Sequence, residues 1–357
     1  LTALPASYVL PLRWTRPGPL GELTAYLGWL SEEVEEILVI DASPPSLFER
    51  HAATLDGLAR HLAPHPDLRF RMGKVNGVTT GIRESSHEQV VLADDDVRYD
   101  RASLRRAVAL LERTDLVRPQ NYFDELPWHA RWDTARSLLN RVFTGDPDFP
   151  VGDFPGTLAV RRESFLAAGG YDGDALFENL ELMRTIAAAG GTVLTPLDLY
   201  VARRPPTARH FLSQRVRQAY DDFGVPPRIG AFLALGPLAL AALRRRRLRP
   251  LAAGTLAAVG AAEVGRRRAG GARRFPASGS LLAPAWLAER SLCAWLAVGA
   301  KLAGGVRYGE GRLSRSATPM RRLRRRFRSG SRSPCGSRRR RAGSASDHSG
   351  KAPLPLA

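Results

Sequence analysis

The sequence predicts an α/β protein with a mostly parallel sheet. Short apolar runs alternate with stretches of helical spacing: Tyr8–Leu12, Ile37–Asp41 and Val90–Ala93 are interleaved with Leu23–Leu30, Leu47–Leu62 and Val75–Arg83. Alternation of this kind builds a parallel sheet with helices on both faces. Two of the runs end in carboxylates, Asp41 and the triplet Asp94-Asp95-Asp96. They fall where the strands of an open α/β sheet leave the core and where such sheets bind their ligands. Charge then separates the chain in two. Residues 1–202 hold 20 basic and 29 acidic side chains, a net −9, whereas residues 203–357 hold 33 and 6, a net +27. An acidic folded domain followed by a segment that meets polyanions has this signature.

Each element has its own warrant. Tyr8–Leu12 reads as the first strand, closed by Pro11 and Arg13. Leu23–Leu30 has helical apolar spacing, and Ile37–Asp41 is the second strand, with Ala42-Ser43-Pro44-Pro45 as its turn. Leu55, Leu58 and Leu62 extend a helix from about Leu47 to Leu62, and Leu68–Arg71 is a short third strand. Asn76-Gly77 opens the next helix, and Val90–Ala93 is the strand that feeds the aspartates. Carboxylates at a strand tip suit a hard divalent cation, and such a cation bridges to a diphosphate. When the triplet is taken alone, an acidic turn at a strand end is the better explanation of Asp-Asp-Asp.

At 44% hydrophobic residues the chain supports an ordinary core. Cys293 and Cys335 make no disulfide framework and lack metal-ligand spacing, which fits a reducing compartment. No secretory leader is legible ahead of Tyr8–Leu12, so the folded domain is expected on the cytoplasmic side.

Taken in order, these motifs resemble a family 2 glycosyltransferase of the GT-A fold, a Rossmann-like architecture. The resemblance covers about residues 7–220 and rests on the order of several motifs. It implies a nucleotide-contacting loop at Pro11-Leu12-Arg13, a nucleoside contact at Asp41, and an Asp-X-Asp motif at Asp94-Asp95-Asp96. By that match Asp96 coordinates Mn²⁺ or Mg²⁺ on the diphosphate, and Asp94 reaches the ribose or the metal's shell. The segment Gly156–Arg162, then Phe165 and Gly169-Gly170-Tyr171-Asp172, is similar to the family's acceptor side. Taken alone, Gly169-Gly170 is a helix C-terminus.

Phe177-Glu178-Asn179-Leu180-Glu181 stands where the family carries its Glu-Asp motif. The usual base position is Asn179, and an amide cannot accept the acceptor hydroxyl's proton. The base is therefore expected at Glu178, with Glu181 second; three apart on a helix, the two share a face. Acidic residues also favour a helix's first turn without any catalytic role. Gln214-Arg215-Val216-Arg217-Gln218 resembles the Gln-X-X-Arg-Trp motif of membrane-associated members, with Gln218 in place of Trp. Arg217 is expected to meet the leaving diphosphate. Pro11, Arg13, Asp41, Asp94, Asp95 and Gln214 are expected around the donor nucleotide.

Beyond residue 225 the composition changes. Ile229–Leu243 and Leu251–Val264 are apolar runs too short for comfortable spans, since a span needs about 20 residues. Leu281–Val306 is long enough only by including Glu289-Arg290. The intervening clusters Arg244–Arg247 and Arg266–Arg268 leave three readings open: spans, a hairpin or interfacial helices, and core helices. Residues 311–357 are rich in Arg and Ser and are expected to be a disordered tail that meets anionic lipid. The same tail would bind nucleic acid without specificity, but no nucleic-acid fold accompanies it.

The expected organisation is a GT-A domain over 1–225, membrane-associated helices over 226–310 and a basic tail over 311–357. The resemblance implies an inverting, metal-dependent hexosyltransferase that moves a sugar from a nucleoside-diphosphate sugar to a lipid or glycan acceptor. Its place would be the cytoplasmic face of the cell membrane. Two rivals stay open: a catalytically silent scaffold, which Asn179 and Gln218 favour, and a polyanion-binding protein acting through its tail.

Overall fold

Tyr8, Val9 and Leu10 are buried on both faces of the strand Leu4–Leu12, which is why that strand lies inside a seven-stranded sheet. A computed structural model of the chain describes residues 2–144, 156–308 and 311–330. Strands Arg60–Leu62, Val34–Asp41, Leu4–Leu12 and Gln89–Ala93 lie side by side in that order and run parallel. Thr157–Arg161 then pairs antiparallel to Gln89–Ala93, and Leu116–Val117 and Val193–Leu194 complete the sheet. The expected mostly parallel sheet is thus present, with one antiparallel strand inserted on the acceptor-motif side. Alternate residues feed two cores. Val9, Leu38, Ile40, Val90 and Leu92 face one way, and Tyr8, Leu10, Val39 and Val91 the other.

Strand order places the ligand edge. After Arg60–Leu62 the chain crosses back over the sheet and returns as Gln89–Ala93 on the far side of Leu4–Leu12. A crevice opens where the order reverses, at the carboxyl ends of Leu4–Leu12 and Gln89–Ala93. The connecting helix, Gly73–Glu84, lies unusually close to the first strand. A Cβ on Gly77 would stand 2.9 Å from the Pro11 Cβ, and one on Gly81 2.2 Å from the Val9 Cγ1. Only glycine allows that approach, and it brings the helix N-terminus, with Lys74, to the crevice.

Two sequence expectations shift here. The helix expected to reach Leu62 spans Pro45–Leu55 and stops before Gly57, whose φ is +73°. Residues 60–62 are thereby released to form the third strand. The strand expected at Leu68–Arg71 does not form: Phe70 N–H donates to Asn76 Oδ1 and Asn76 Nδ2 donates to Phe70 O, both at 3.1 Å. A side chain takes the backbone groups that a ladder would need.

The C-terminal helices are built against this domain. Leu248–Arg267 lies along Trp128–Phe143, and Ala283–Leu302 packs on both Ala208–Asp221 and Pro226–Arg244. Trp286, 1% exposed, packs with Phe232, Phe275 and Ala262. Arg215 donates to Asp133 and Glu289, each at 3.0 Å, which ties three helices together through buried charge. Among the described residues one helix, Pro226–Arg244, is long and apolar enough to cross a membrane by length and composition.

The expectation of disorder from residue 311 is corrected for residues 311–330. Gly311–Leu313 pairs with Val306–Tyr308, and Met320–Arg328 lies on the helix Glu178–Ala188 with Leu323 buried. Three well-spaced apolar anchors, Leu313, Ala317 and Leu323, suffice against the arginines' preference for water. Residues 331–357, with Cys335, lie outside the described residues.

Candidate active site at the carboxyl edge of the sheet

The crevice is a cleft of about 300 Å³ lined by Pro11, Leu12, Arg13, Ile40, Ala42, Gly73, Lys74, Gly77, Asp94–Asp96, Arg203, His210 and Tyr308. Pro11, Arg13 and the aspartates are therefore brought together as the sequence led us to expect. A second hollow of about 340 Å³ shares Asp95 and Asp96 and continues past them to Trp14, Glu22, Arg98 and Arg204. A roomier hollow of about 520 Å³, at Asp115, Ser164 and Arg326, shares no residue with either.

Charges in the cleft are held in opposed pairs. Lys74 Nζ lies 2.6 Å from Asp94 Oδ1 and 2.8 Å from Glu178 Oε1, so one ammonium joins the strand tip to the start of the helix Glu178–Ala188. Arg203, on the strand Tyr200–Arg203, grips Asp96 through Nη2 at 2.5 Å and Nε at 3.1 Å. Burial pushes the Asp94 carboxyl up and the neighbouring Asp96 adds to the push, against the pull of Lys74. Burial also opposes the charge on Lys74, but the two carboxylates outweigh it and keep the amine protonated. At Glu178 burial works against ionisation; Lys74 foremost, then Arg217, overcome it and hold the carboxyl below its usual range.

Gly156 completes the wall. Its O accepts from Asp94 N–H at 2.9 Å, and a Cβ there would come within 2.3 Å of Asp94 Oδ2. Asp95 also lines the cleft and is engaged by Trp14, whose Nε1 donates to its Oδ2 at 2.6 Å while the indole stands edge-on to His51. On the far rim Arg217 donates to Gln214 Oε1 at 3.0 Å and lies over the Tyr308 ring at 4.9 Å. Gln214 and Arg217 thus form one hydrogen-bonded pair beside Tyr308, a lining residue of the cleft. Arg215 between them faces inward to Asp133.

Two expected site residues are placed differently. Asp41 ends its strand beside the cleft, between the lining residues Ile40 and Ala42, but its carboxylate is 1% exposed. Ser43 N–H donates to its Oδ1 at 2.8 Å, while His51 Nδ1 and His61 Nε2 approach its Oδ2 at 2.7 and 3.1 Å. Burial raises the Asp41 carboxyl, but these hydrogen bonds, led by His61, outweigh it and hold the group well below its usual range. Glu181 is the second case. It shares the helix with Glu178 but is fully buried away from the cleft, where its Oε2 accepts from Thr318 N–H at 2.6 Å. The segment that turns it away, residues 316–318, belongs to the stretch expected to be disordered.

Lys74, Arg203 and His210 had no place in the sequence-based expectation, and Tyr308 had none as a site residue. Lys74 had a signal: it follows Gly73 at the start of a helix with glycine every fourth residue, Gly73, Gly77 and Gly81. The other three come from segments far apart in sequence, and only the tertiary fold collects them.

The donor set fits a hard divalent cation in one way. Among the described residues no group of three or more His, Cys, Asp or Glu side chains is placed to hold a metal ion alone. Asp94 and Asp96 supply two carboxylates within electrostatic reach of each other. Mg²⁺-like ions take one or two such carboxylates and complete their shell with phosphate and water.

No protein-family model and no curated protein matches the chain. Among solved structures it is similar to the mannosyltransferase PcManGT from Pyrobaculum calidifontis in complex with GDP-Man and Mn²⁺. The identity is 21% and the TM-score 0.47, over 81% of this chain and 86% of that one. It is also similar to mannosyl-3-phosphoglycerate synthase from Rubrobacter xylanophilus, at 18% identity and TM-score 0.41 over 58% and 69%. A third is glucosyl-3-phosphoglycerate synthase from Mycobacterium tuberculosis with Mn²⁺, UDP and phosphoglyceric acid. There the identity is 21% and the TM-score 0.40, over 57% and 72%.

Proposed function

We propose that the chain is a metal-dependent glycosyltransferase that takes a sugar from a nucleoside-diphosphate sugar. The observation that carries this reading is the meeting of Asp94 and Glu178 on Lys74, beside the Asp96–Arg203 pair, at a cleft where strand order reverses. The nucleoside lies against Pro11, Arg13 and Ala42, with its phosphates toward the N-terminus of Gly73–Glu84. Backbone N–H groups and the Lys74 ammonium both favour negative charge there. Because Asp41 is sequestered by two histidines, it supports the nucleoside wall and does not contact the base.

Asp96 and Asp94 would hold the divalent cation, Mn²⁺ or Mg²⁺, which would supply a positive charge for the departing diphosphate. Lys74 and Arg203 hold those carboxylates in place by direct ion pairs. Glu178, held ionised by Lys74, accepts the proton of the acceptor hydroxyl as that oxygen attacks the anomeric carbon, giving inversion. Arg217 at the mouth meets the leaving diphosphate, with Tyr308 steadying its guanidinium. We place the enzyme on the cytoplasmic face of the cell membrane, with a lipid or glycan acceptor. The charge asymmetry and the exposed apolar helices after residue 225 support that placement.

A thermal-shift screen of nucleoside diphosphates and their sugars, GDP-Man and UDP-Glc included, with and without Mn²⁺ tests the reading. One nucleotide should raise Tm by several degrees only when Mn²⁺ is present, because a ligand that binds only the folded state stabilises it by mass action. Stabilisation by none of them, or equal stabilisation without metal, argues against it.

A further inference from the structure

The helices Pro226–Arg244 and Leu248–Arg267 form a hairpin whose outer half is largely exposed among the described residues. The first arm is anchored up to Gly236, whose N–H donates to Ser291 Oγ at 3.0 Å, and the second arm from Ala258 onward. Between these anchors, residues 240–257 are exposed except for the half-buried Ala242 and Leu251. Leu238, Leu243, Leu248 and Leu256 are 68, 54, 66 and 71% exposed, respectively. Apart from Thr255 the arms are apolar, yet the tip carries Arg244, Arg245, Arg246, Arg247 and Arg249, all exposed.

We infer that this hairpin attaches the protein to an anionic phospholipid surface by lying in the plane of one leaflet, without crossing it. Length decides against insertion end-on. The free parts of the arms reach about 12 to 15 Å at 1.5 Å per residue, half of a hydrocarbon core about 30 Å thick. End-on insertion would leave five arginines near the midplane, where charge is least tolerated. Lying flat, the leucines sink to the headgroup–acyl boundary and the guanidiniums stay at the phosphates, which they bind as planar forks. The apolar surface continues onto Ala283–Leu302, where Trp295, 51% exposed, donates from Nε1 to Leu233 O. The arginine tip selects the occupant: a second copy of this chain would bring the same positive charge against it, whereas anionic lipid complements it. This inference rests on the membrane placement proposed above and is independent of the donor chemistry.

Flotation of the full chain with vesicles of phosphatidylcholine alone or with one third phosphatidylglycerol tests it. The chain should float with the anionic vesicles and stay bound in 1 M NaCl. The triple variant L243S/L248S/L256S, all exposed positions, should bind at low salt through its arginines but wash off at 1 M NaCl, with retention falling at least tenfold. A wild-type chain that washes off completely, or a variant retained as well as the wild type, overturns the inference. Depth is read separately with R246C in a C293S/C335S background. Impermeant maleimide added outside should label it without detergent. Protection until detergent is added would mean that the tip has crossed the bilayer, and salt-resistant dimers without vesicle binding would assign the face to another copy; either overturns it. Nucleotide-dependent thermal shifts measured on the same samples fail or succeed independently.

Discussion

The cleft and the hairpin are opposite solutions to the problem of unmatched surface. In the cleft most of the charges near the proposed ligand already have partners: Lys74 with Asp94 and Glu178, Arg203 with Asp96, Arg217 with Gln214 and Tyr308. In the hairpin Leu238, Leu240, Leu243, Leu248 and Leu256 stand exposed. A site that is prepaired holds its charged side chains oriented before a ligand arrives, which is how preorganised electrostatics lower a barrier. An apolar face without a partner does the reverse and depends on an outside surface for its cover.

The sharpest way to break this contrast is Lys74→Met. It removes the ammonium that two carboxylates share, so metal-dependent donor hydrolysis should fall about 100-fold or more. Steady-state rates at saturating donor check it, and an unaffected rate would mean that the pairing is incidental. Next in size is a pair of arginines two positions apart on one helix. Arg215, 6% exposed at its side chain, is paired with Asp133 at 7%. Arg215→Ala should cost about 3 kcal/mol of stability, as breaking a buried pair does. Arg217→Ala at the cleft mouth should lower the transfer rate and leave Tm within a degree or two. Denaturant melts and initial rates on both variants separate the roles.

A smaller effect concerns Asp221, one turn after Arg217. Burial raises its carboxyl to about 8, against the pull of Arg217, and its Oδ1 is buried without a partner. A carboxyl raised in the folded state contributes stability that is full below its unfolded pKa, about 3.9, and is lost as pH climbs toward that raised value. Wild-type stability should therefore fall by on the order of 2 kcal/mol between pH 5 and 8 through this group. Asp221→Asn should flatten that slope in Tm measured against pH. The smallest expected effect is Glu181→Gln: a loss of about 1 kcal/mol from the weakened bond to Thr318 N–H, with the transfer rate unchanged. A rate collapse in Glu181→Gln, with Glu178→Gln still active, would exchange the roles of the two glutamates.

Much of the fold was legible because it follows from local pattern. Apolar runs ending at Asp41 and Asp94 are strands under any tertiary arrangement, and Asp94–Asp96 could stand only at a strand tip. The third strand was misplaced because Asn76, a side chain several residues ahead, takes the backbone groups of Phe70, and because Gly57 ends a helix whose apolar spacing runs on. Glu178 and Glu181 share a helix, but residues 316–318 cover one and leave the other in the cleft, and no periodicity encodes that. Arg203 was missed for a related reason: the sequence around it, Arg203-Arg204, carries no mark of the carboxylate it will meet, whereas the glycine spacing ahead of Lys74 marked only the close approach of its helix. The arginines of residues 311–330 masked three apolar anchors, so composition spoke for disorder where packing decided otherwise.

The central claim is that the aspartates, closed by Lys74 and Arg203, accept a divalent cation only together with a diphosphate. Titration of Mn²⁺ by calorimetry, with and without saturating nucleoside diphosphate, tests it directly in the wild type and in Asp96→Ala. The expected result is a Kd for Mn²⁺ alone in the millimolar range that tightens at least 30-fold when nucleotide is bound, with the tightening lost in Asp96→Ala. Equally tight Mn²⁺ binding without nucleotide, or nucleotide binding indifferent both to Mn²⁺ and to Asp96, would contradict the account.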